Sequence, residues 1–218
     1  MTIKGCIFDL DGVIVDTAKY HYIAWRELAH ELGFLFTEKD NERLKGVSRM
    51  KSLEILLEVG GMSFSESRKK ALAEKKNKRY VELINQLTPE DILPGARLFI
   101  ENLKTKNIKT ALGSASKNAM TILNKLEITN LFESIIDGTK VSKAKPDPEV
   151  FLKAAQELDL NPEECIVFED AQAGIEAAKN GKMWAVAVGK PENLSGYNAI
   201  ISSFSNITFD DIKAKLKI

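Results

Sequence analysis

Strand-like and helix-like segments alternate along this chain, except for one long stretch that is helical throughout, and that interruption constrains the fold more than any other feature. Cys6-Ile7-Phe8 is a short apolar run followed by polar residues and Gly12, the pattern of a buried strand. From residue 17 to residue 87 no strand pattern occurs. Ala18, Tyr22, Trp25, Ala29 and Leu32 recur at helical spacing, and Gly33 ends that stripe. Ser48 to Val59 reads as a second helix stopped by Gly60-Gly61, and Ser65 to Leu87 as a longer one rich in Lys and Glu.

Pro89 and Pro94-Gly95 mark the return to alternation. A helix around Ala96 to Leu103 precedes a strand at Thr110 to Leu112, a turn at Gly113 to Ser116 and a helix at Met120 to Leu126. A strand at Ser134 to Asp137 follows, and Asp147-Pro148 has the form of an N-cap with proline in the first helical position. Asn161-Pro162 with Glu164 repeats that form just before the strand Cys165 to Phe168, so only a short turn fits. Ala171 to Asn180 reads as helix, Trp184 to Val188 and Ala199 to Ile201 as strands, and Phe209 to Leu216 as the last helix. Such alternation predicts an α/β fold, a Rossmann-like doubly wound parallel sheet covered on both faces. The expected core is residues 1–15 and 93–218, with an α-helical cap inserted at 16–92.

Charge narrows the partners. Lys plus Arg and Asp plus Glu are both 31, so the net charge is +0 and nothing global draws the chain to nucleic acid or an anionic membrane. No run reaches the ~20 apolar residues of a membrane span. No charged segment with a long apolar run opens the sequence. Cys6 and Cys165 sit in apolar strand-like runs without metal-ligand spacing, as buried thiols of a reducing compartment do. A cytoplasmic, monomeric protein is expected.

Three predicted strand ends carry reactive side chains, and ligands of such sheets bind at the carboxyl ends of the strands. Asp9 and Asp11 leave the first strand two residues apart. Such a pair can share a metal or divide into nucleophile and general acid/base; a solvated Asp-Gly turn is written the same way. Ser114 follows the second core strand, and Ala115, Ser116, Lys117 and Asn118 lead into a helix whose first amides suit phosphate, unless Ser116 is a simple cap. Lys145 precedes Pro146, which holds it extended. Glu169-Asp170 ends the fourth strand, as oxygen ligands for Mg²⁺ or as a helix cap.

The order Asp-x-Asp, Ser, Lys, acidic pair, each at a strand end or loop, resembles the four motifs of the haloacid dehalogenase superfamily over the whole chain. The resemblance implies that Asp9 attacks phosphorus, Asp11 is general acid/base, and Ser114 and Lys145 hold the phosphoryl group. It implies a Mg²⁺ site from Asp9, the Asp11 main-chain carbonyl, Glu169 and Asp170. These roles answer a physical need: a carboxylate attacking a phosphate dianion meets like charge, roughly 4 kcal/mol per unit pair at ~4 Å and an effective dielectric near 20. A metal and a lysine offset it.

The predicted cap is similar to that of the sugar-phosphate mutases of this superfamily in the stretch Leu44 to Arg49, and the core is similar in Gly113 to Asn118 and Glu169 to Ile175. This resemblance implies a small sugar phosphate as partner: interconversion of β-glucose 1-phosphate and glucose 6-phosphate, with β-glucose 1,6-bisphosphate as activator and intermediate. Substrate contacts would come from Thr17, His21, Gly46, Val47, Arg49, Ser52, Lys76, Ala115, Ser116, Lys117 and Asn118. Arg49, Ser116, Lys117 and Asn118 would hold the phosphate that is not reacting, and His21 would orient Asp11. Lys76 is singled out from a lysine run, 69 to 78, that is otherwise a solvated face. A phosphatase of the same superfamily is the first rival. A signalling receiver domain is the second, disfavoured by a helical insertion right after Asp16.

Overall fold

The computed structural model describes residues 2–44, 47–190, 192 and 194–218. Six strands form one parallel sheet: β1 (Gly5–Phe8), β2 (Lys109–Gly113), β3 (Ser134–Ile136), β4 (Cys165–Glu169), β5 (Trp184–Val188) and β6 (Ala199–Ile201). Their order is β3-β2-β1-β4-β5-β6. The chain moves outward from β1 to β3, then returns to the other side of β1 to lay down β4. The switch point therefore lies between β1 and β4, where a crevice opens beyond the carboxyl ends of the strands.

Burial on both faces explains why these strands read as continuous apolar runs rather than alternating ones. Phe8 faces one core with Phe99, Phe168 and Phe204; Ile7 faces the other with Phe151 and Ile175. Phe8 and Phe168, cross-strand neighbours, stack with ring centroids 4.9 Å apart. Pairs of this kind are worth about 0.5–1.5 kcal/mol beyond their buried area, and this one fixes the register that brings the ends of β1 and β4 level.

Between β1 and α5 (Ala96–Thr105) lie four helices: α1 (Ala18–Glu31), α2 (Glu38–Glu42), α3 (Arg49–Val59) and α4 (Glu66–Ile84). Trp25, Leu28 and Ala29 of α1, Leu53 and Leu56 of α3 and Leu72 and Ala73 of α4 form an apolar cluster of their own. The Ser48 and Ser65 hydroxyls cap α3 and α4 by accepting the N–H of Lys51 and Arg68. Sequence patterning misses α2, because five residues carry no apolar periodicity; a reciprocal box between Thr37 and Asp40 starts it instead.

The remaining helices are α6 (Ala119–Lys125), α7 (Glu149–Glu157), α8 (Gln172–Asn180) and α9 (Phe209–Leu216). α7 starts later than expected. Pro148, at φ −75°, takes the N-cap position, while the Asp147 carboxylate accepts the Glu149 N–H at 3.0 Å. The turn at Asn161–Glu164 is short, as expected, and closes with a capping box before β4. Among the described residues no helix is long and apolar enough to cross a membrane.

Candidate active site

Asp9 stands one residue past β1 and is held beside β4 by its own N–H, which donates to the Phe168 carbonyl at 3.0 Å. Lys145 reaches in from the loop before α7. Its Nζ donates to Asp9 Oδ1 at 2.5 Å and to Glu169 Oε2 at 2.8 Å. The lysine side chain is 1% exposed, and those of Asp9 and Glu169 are 9% and 0%. Burial alone pulls the Lys145 ammonium down, but the charges of Asp9 and Glu169 outweigh it and hold the group above the usual lysine range. Burial raises Glu169 against the opposing charge of Lys145. The Ala171 N–H completes the Glu169 carboxylate at 3.0 Å.

Asp9, Glu169 and Asp170 offer carboxylate oxygens that all lie within 4.8 Å of one another. Three hard anionic ligands around one point, two of them buried, suit Mg²⁺ by charge and donor type. The Asp11 carboxylate lies outside this group, which leaves its main-chain carbonyl as the ligand the resemblance assigns to that position. Two glycines make the cluster possible. A Cβ on Gly174 would lie 2.0 Å from the Glu169 carboxyl carbon and Oε2, and one on Gly12 would lie 2.1 Å from Asp170 Oδ2. Gly174→Ala should therefore displace Glu169 and weaken Mg²⁺ binding about 10- to 100-fold, the range for a disturbed metal surround. Calorimetric titration with Mg²⁺ checks it, and unchanged affinity would contradict this role for the glycine.

Ser114 follows β2 and is 1% exposed. Its N–H donates to the Ile136 carbonyl at 2.9 Å, and its Oγ accepts the Ser116 N–H at 3.1 Å. Ser116 Oγ in turn accepts the Asn118 N–H at 3.2 Å. Ser116 thus shapes the turn, while Asn118 takes the N-cap position of α6.

Asp11 faces the cap. Burial first, and then the charge of Asp9, push its carboxyl up to about 8, and its Oδ1 has no hydrogen-bond partner among the described residues. Lys76 of α4 is 4% exposed, as its selection from the lysine run implies. Its Nζ lies 2.8 Å from His21 Nδ1 and sits over the rings of Trp25 and Tyr80, 4.5 and 4.6 Å from their centroids. Burial and the Arg49 charge pull the Lys76 amine well down; burial and Lys76 do the same to His21. Between cap and core lies a cavity of about 460 Å³. Asp9, Asp11, His21, Val47, Arg49, Ser52, Lys76, Ser114, Ala115, Ser116, Lys117, Asn118, Lys145 and Asp170 all line it. Thr17 and Glu169, both 0% exposed, are not among the lining residues, and Gly46 lies outside the described residues.

This arrangement has relatives. The family pattern of haloacid dehalogenase-like hydrolases matches residues 3–182. The chain belongs to that family. It is 45% identical over 209 residues to a β-phosphoglucomutase of Bacillus subtilis, covering 95% of this chain and 92% of that protein. A crystal structure of β-phosphoglucomutase from Clostridium difficile superposes with a TM-score of 0.94 at 48% identity, covering 99% of this chain and 98% of that one. A phosphorylated carbohydrates phosphatase of Thermotoga maritima is 35% identical over 180 residues, 81% of each chain. The relatives thus include proteins named as a mutase and as a phosphatase.

Several cavity residues escaped the sequence reading. Asn77 neighbours Lys76 inside the charged run, and Asn41 belongs to the unpatterned helix α2. The 141–144 loop, which carries Val141 and Lys143, had no motif to mark it.

Proposed function

We propose that this protein is a β-phosphoglucomutase, interconverting β-glucose 1-phosphate and glucose 6-phosphate through phospho-Asp9 and β-glucose 1,6-bisphosphate. One observation carries the reading: Asp9, Lys145 and Asp170, with Glu169 paired to Lys145 beside them, and a second cationic, hydroxyl- and amide-rich wall of Arg49, Ser116, Lys117 and Asn118 line one cavity. A phosphatase needs one phosphate site; a mutase working on a bisphosphate needs two. The identity to named β-phosphoglucomutases supports the same reading.

Asp9, Glu169, Asp170 and the Asp11 carbonyl would hold Mg²⁺. When bound, the ion offsets the negative charge shared by the Asp9 carboxylate and the incoming phosphate. A hydroxyl of the sugar attacks phosphorus on phospho-Asp9 while the Asp11 carboxylate takes its proton, giving the bisphosphate. The sugar turns over, and an Asp9 oxygen attacks the other phosphorus. The P–O bond to the sugar breaks as Asp11 returns the proton to the leaving oxygen. Burial pushes that carboxyl up to about 8, so it can hold the proton between the two transfers. Acid/base help of this kind is worth about 10²- to 10⁴-fold. Lys145 and Ser114 stabilise the charge on the transferring group, and the buried His21–Lys76 pair orients Asp11 and the sugar. Arg49 grips the idle phosphate with its fork.

The assay is direct. With Mg²⁺, β-glucose 1-phosphate and a trace of glucose 1,6-bisphosphate, glucose 6-phosphate should form, and the α anomer should give none. Release of inorganic phosphate alone would replace this reading with that of a sugar-phosphate phosphatase, which the Thermotoga maritima relative exemplifies. The cap of residues 16–92 closes on the core of 1–15 and 93–218, pivoting at 15–17 and 89–94. Scattering curves with Mg²⁺ and a phosphoryl transition-state mimic should show a more compact particle; superimposable curves would contradict closure. The protein works as a monomer in the cytoplasm.

A further inference from the structure

Two of the groups assigned to the idle phosphate are already held, and both by α4. Arg49 Nη1 donates to Glu74 Oε1 at 3.2 Å. Asn118 Nδ2 donates to Asn77 Oδ1 at 2.9 Å. Glu74 and Asn77 are three residues apart, so they share one face of α4, and all four side chains line the cavity. The second bond differs in kind from the first. Arg49 and Glu74 both belong to the helical insertion. Asn118 belongs to the loop between β2 and α6, so its bond with Asn77 crosses from core to cap.

We propose that Asn77 is a positioning residue for the idle phosphate: it fixes the Asn118 carboxamide and couples that phosphate site to the placement of the cap. The proposal rests on the functional reading above. The Asn118 Nδ2 group carries two N–H donors. One is spent on Asn77 Oδ1, and the plane of the amide is thereby fixed with the second donor free for a phosphate oxygen. The main-chain N–H of Asn118 is occupied by Ser116 Oγ, so the side chain is what this residue offers to a ligand. Without the Asn77 acceptor the carboxamide rotates, and ordering it again weakens phosphate binding. A ligand that engages Asn118 in turn holds α4, and with it Lys76, against the core. Both asparagines are half-buried, so their removal leaves no costly unpaired group inside the protein.

The test uses the Mg²⁺-loaded protein treated with beryllofluoride, which mimics the phosphoryl group on an aspartate and fills the Asp9 site. The phosphate of glucose 6-phosphate then has only the second site to occupy. Its Kd is measured by calorimetry for wild type, Asn77→Ala, Asn118→Ala and the double variant, with thermal melts to establish folding. Asn77→Ala is expected to raise Kd about 2- to 12-fold, the worth of one neutral hydrogen bond. The double variant is expected to bind no more weakly than Asn118→Ala alone, since Asn77 acts through Asn118. Steady-state kinetics should show the same factor in KM, with kcat within about twofold. An unchanged Kd in Asn77→Ala, or losses that multiply in the double variant, would overturn the proposal. Wild-type protein that ignores beryllofluoride would instead count against phospho-Asp9. The same four proteins titrated with glucose 6-phosphate alone would then decide the role of Asn77 by the same criterion.

Discussion

Asp9→Asn should abolish turnover, lowering kcat by about 10⁴- to 10⁶-fold, as removal of a covalent nucleophile does elsewhere. The substitution is isosteric and keeps a hydrogen-bond acceptor for Lys145, whose Nζ lies 2.5 Å from Asp9 Oδ1. What it removes is the charged oxygen proposed to attack phosphorus, and no neighbour can replace it. Glu169 is 0% exposed and paired with Lys145, while Asp11 is turned to the cap, its carboxyl pushed up to about 8 by burial. Because Lys145 still pairs with Glu169 at 2.8 Å, the variant should fold. Kinetics of glucose 6-phosphate formation beside a thermal melt separate the two effects. A folded variant with activity within tenfold of wild type would remove Asp9 from the mechanism.

Lys145→Met should damage both activity and stability. The ammonium sits between two buried carboxylates, at 2.5 and 2.8 Å, and burial of such charges is tolerable only when they are paired. Removing one partner of a buried ion pair typically costs 3–5 kcal/mol, because it leaves uncompensated charge inside. For a chain of this size that is roughly 6–20 °C in Tm. Mg²⁺ should restore part of the loss: Asp9 and Glu169 belong to the same three-carboxylate cluster, and a ligand of the native state stabilises it by mass action. It should not restore the rate. Loss of a charge aimed at the transferring phosphoryl group costs about 10²- to 10³-fold in kcat. Melting curves with and without Mg²⁺ check the first part. A Tm equal to wild type in metal-free buffer would show that Lys145 is not needed to hold the two carboxylates.

The core motifs were legible because each sits where a strand ends, and strand ends are written in apolar runs. Asp9, Ser114 and Glu169 are within one residue of β1, β2 and β4. Lys145 was harder, since it lies in a loop and is marked only by the proline after it, yet it proves to be the link between Asp9 and Glu169. The cap was legible as a helical interruption, and Lys76 could be separated from its lysine neighbours by resemblance. Its physical environment could not be foreseen: two aromatic rings and a histidine around one buried amine are long-range packing. The bond between Asn77 and Asn118 was hidden for the same reason, since 41 residues separate its partners. The short helix α2 escaped because its signal is a capping box without an apolar stripe. The precise start of α7 escaped because Pro148 fits either side of a helix boundary.

The central claim is that phospho-Asp9 gives its phosphoryl group to a sugar hydroxyl in preference to water. Loading Asp9 from radiolabelled glucose 1,6-bisphosphate, isolating the enzyme, and chasing with buffer or with β-glucose 1-phosphate measures that choice in a single turnover. The account predicts that the chase moves the label into sugar phosphate far faster than buffer releases it as inorganic phosphate, and that Asp9→Asn never takes up label. Release of the label as inorganic phosphate at the same rate with and without the sugar would contradict it.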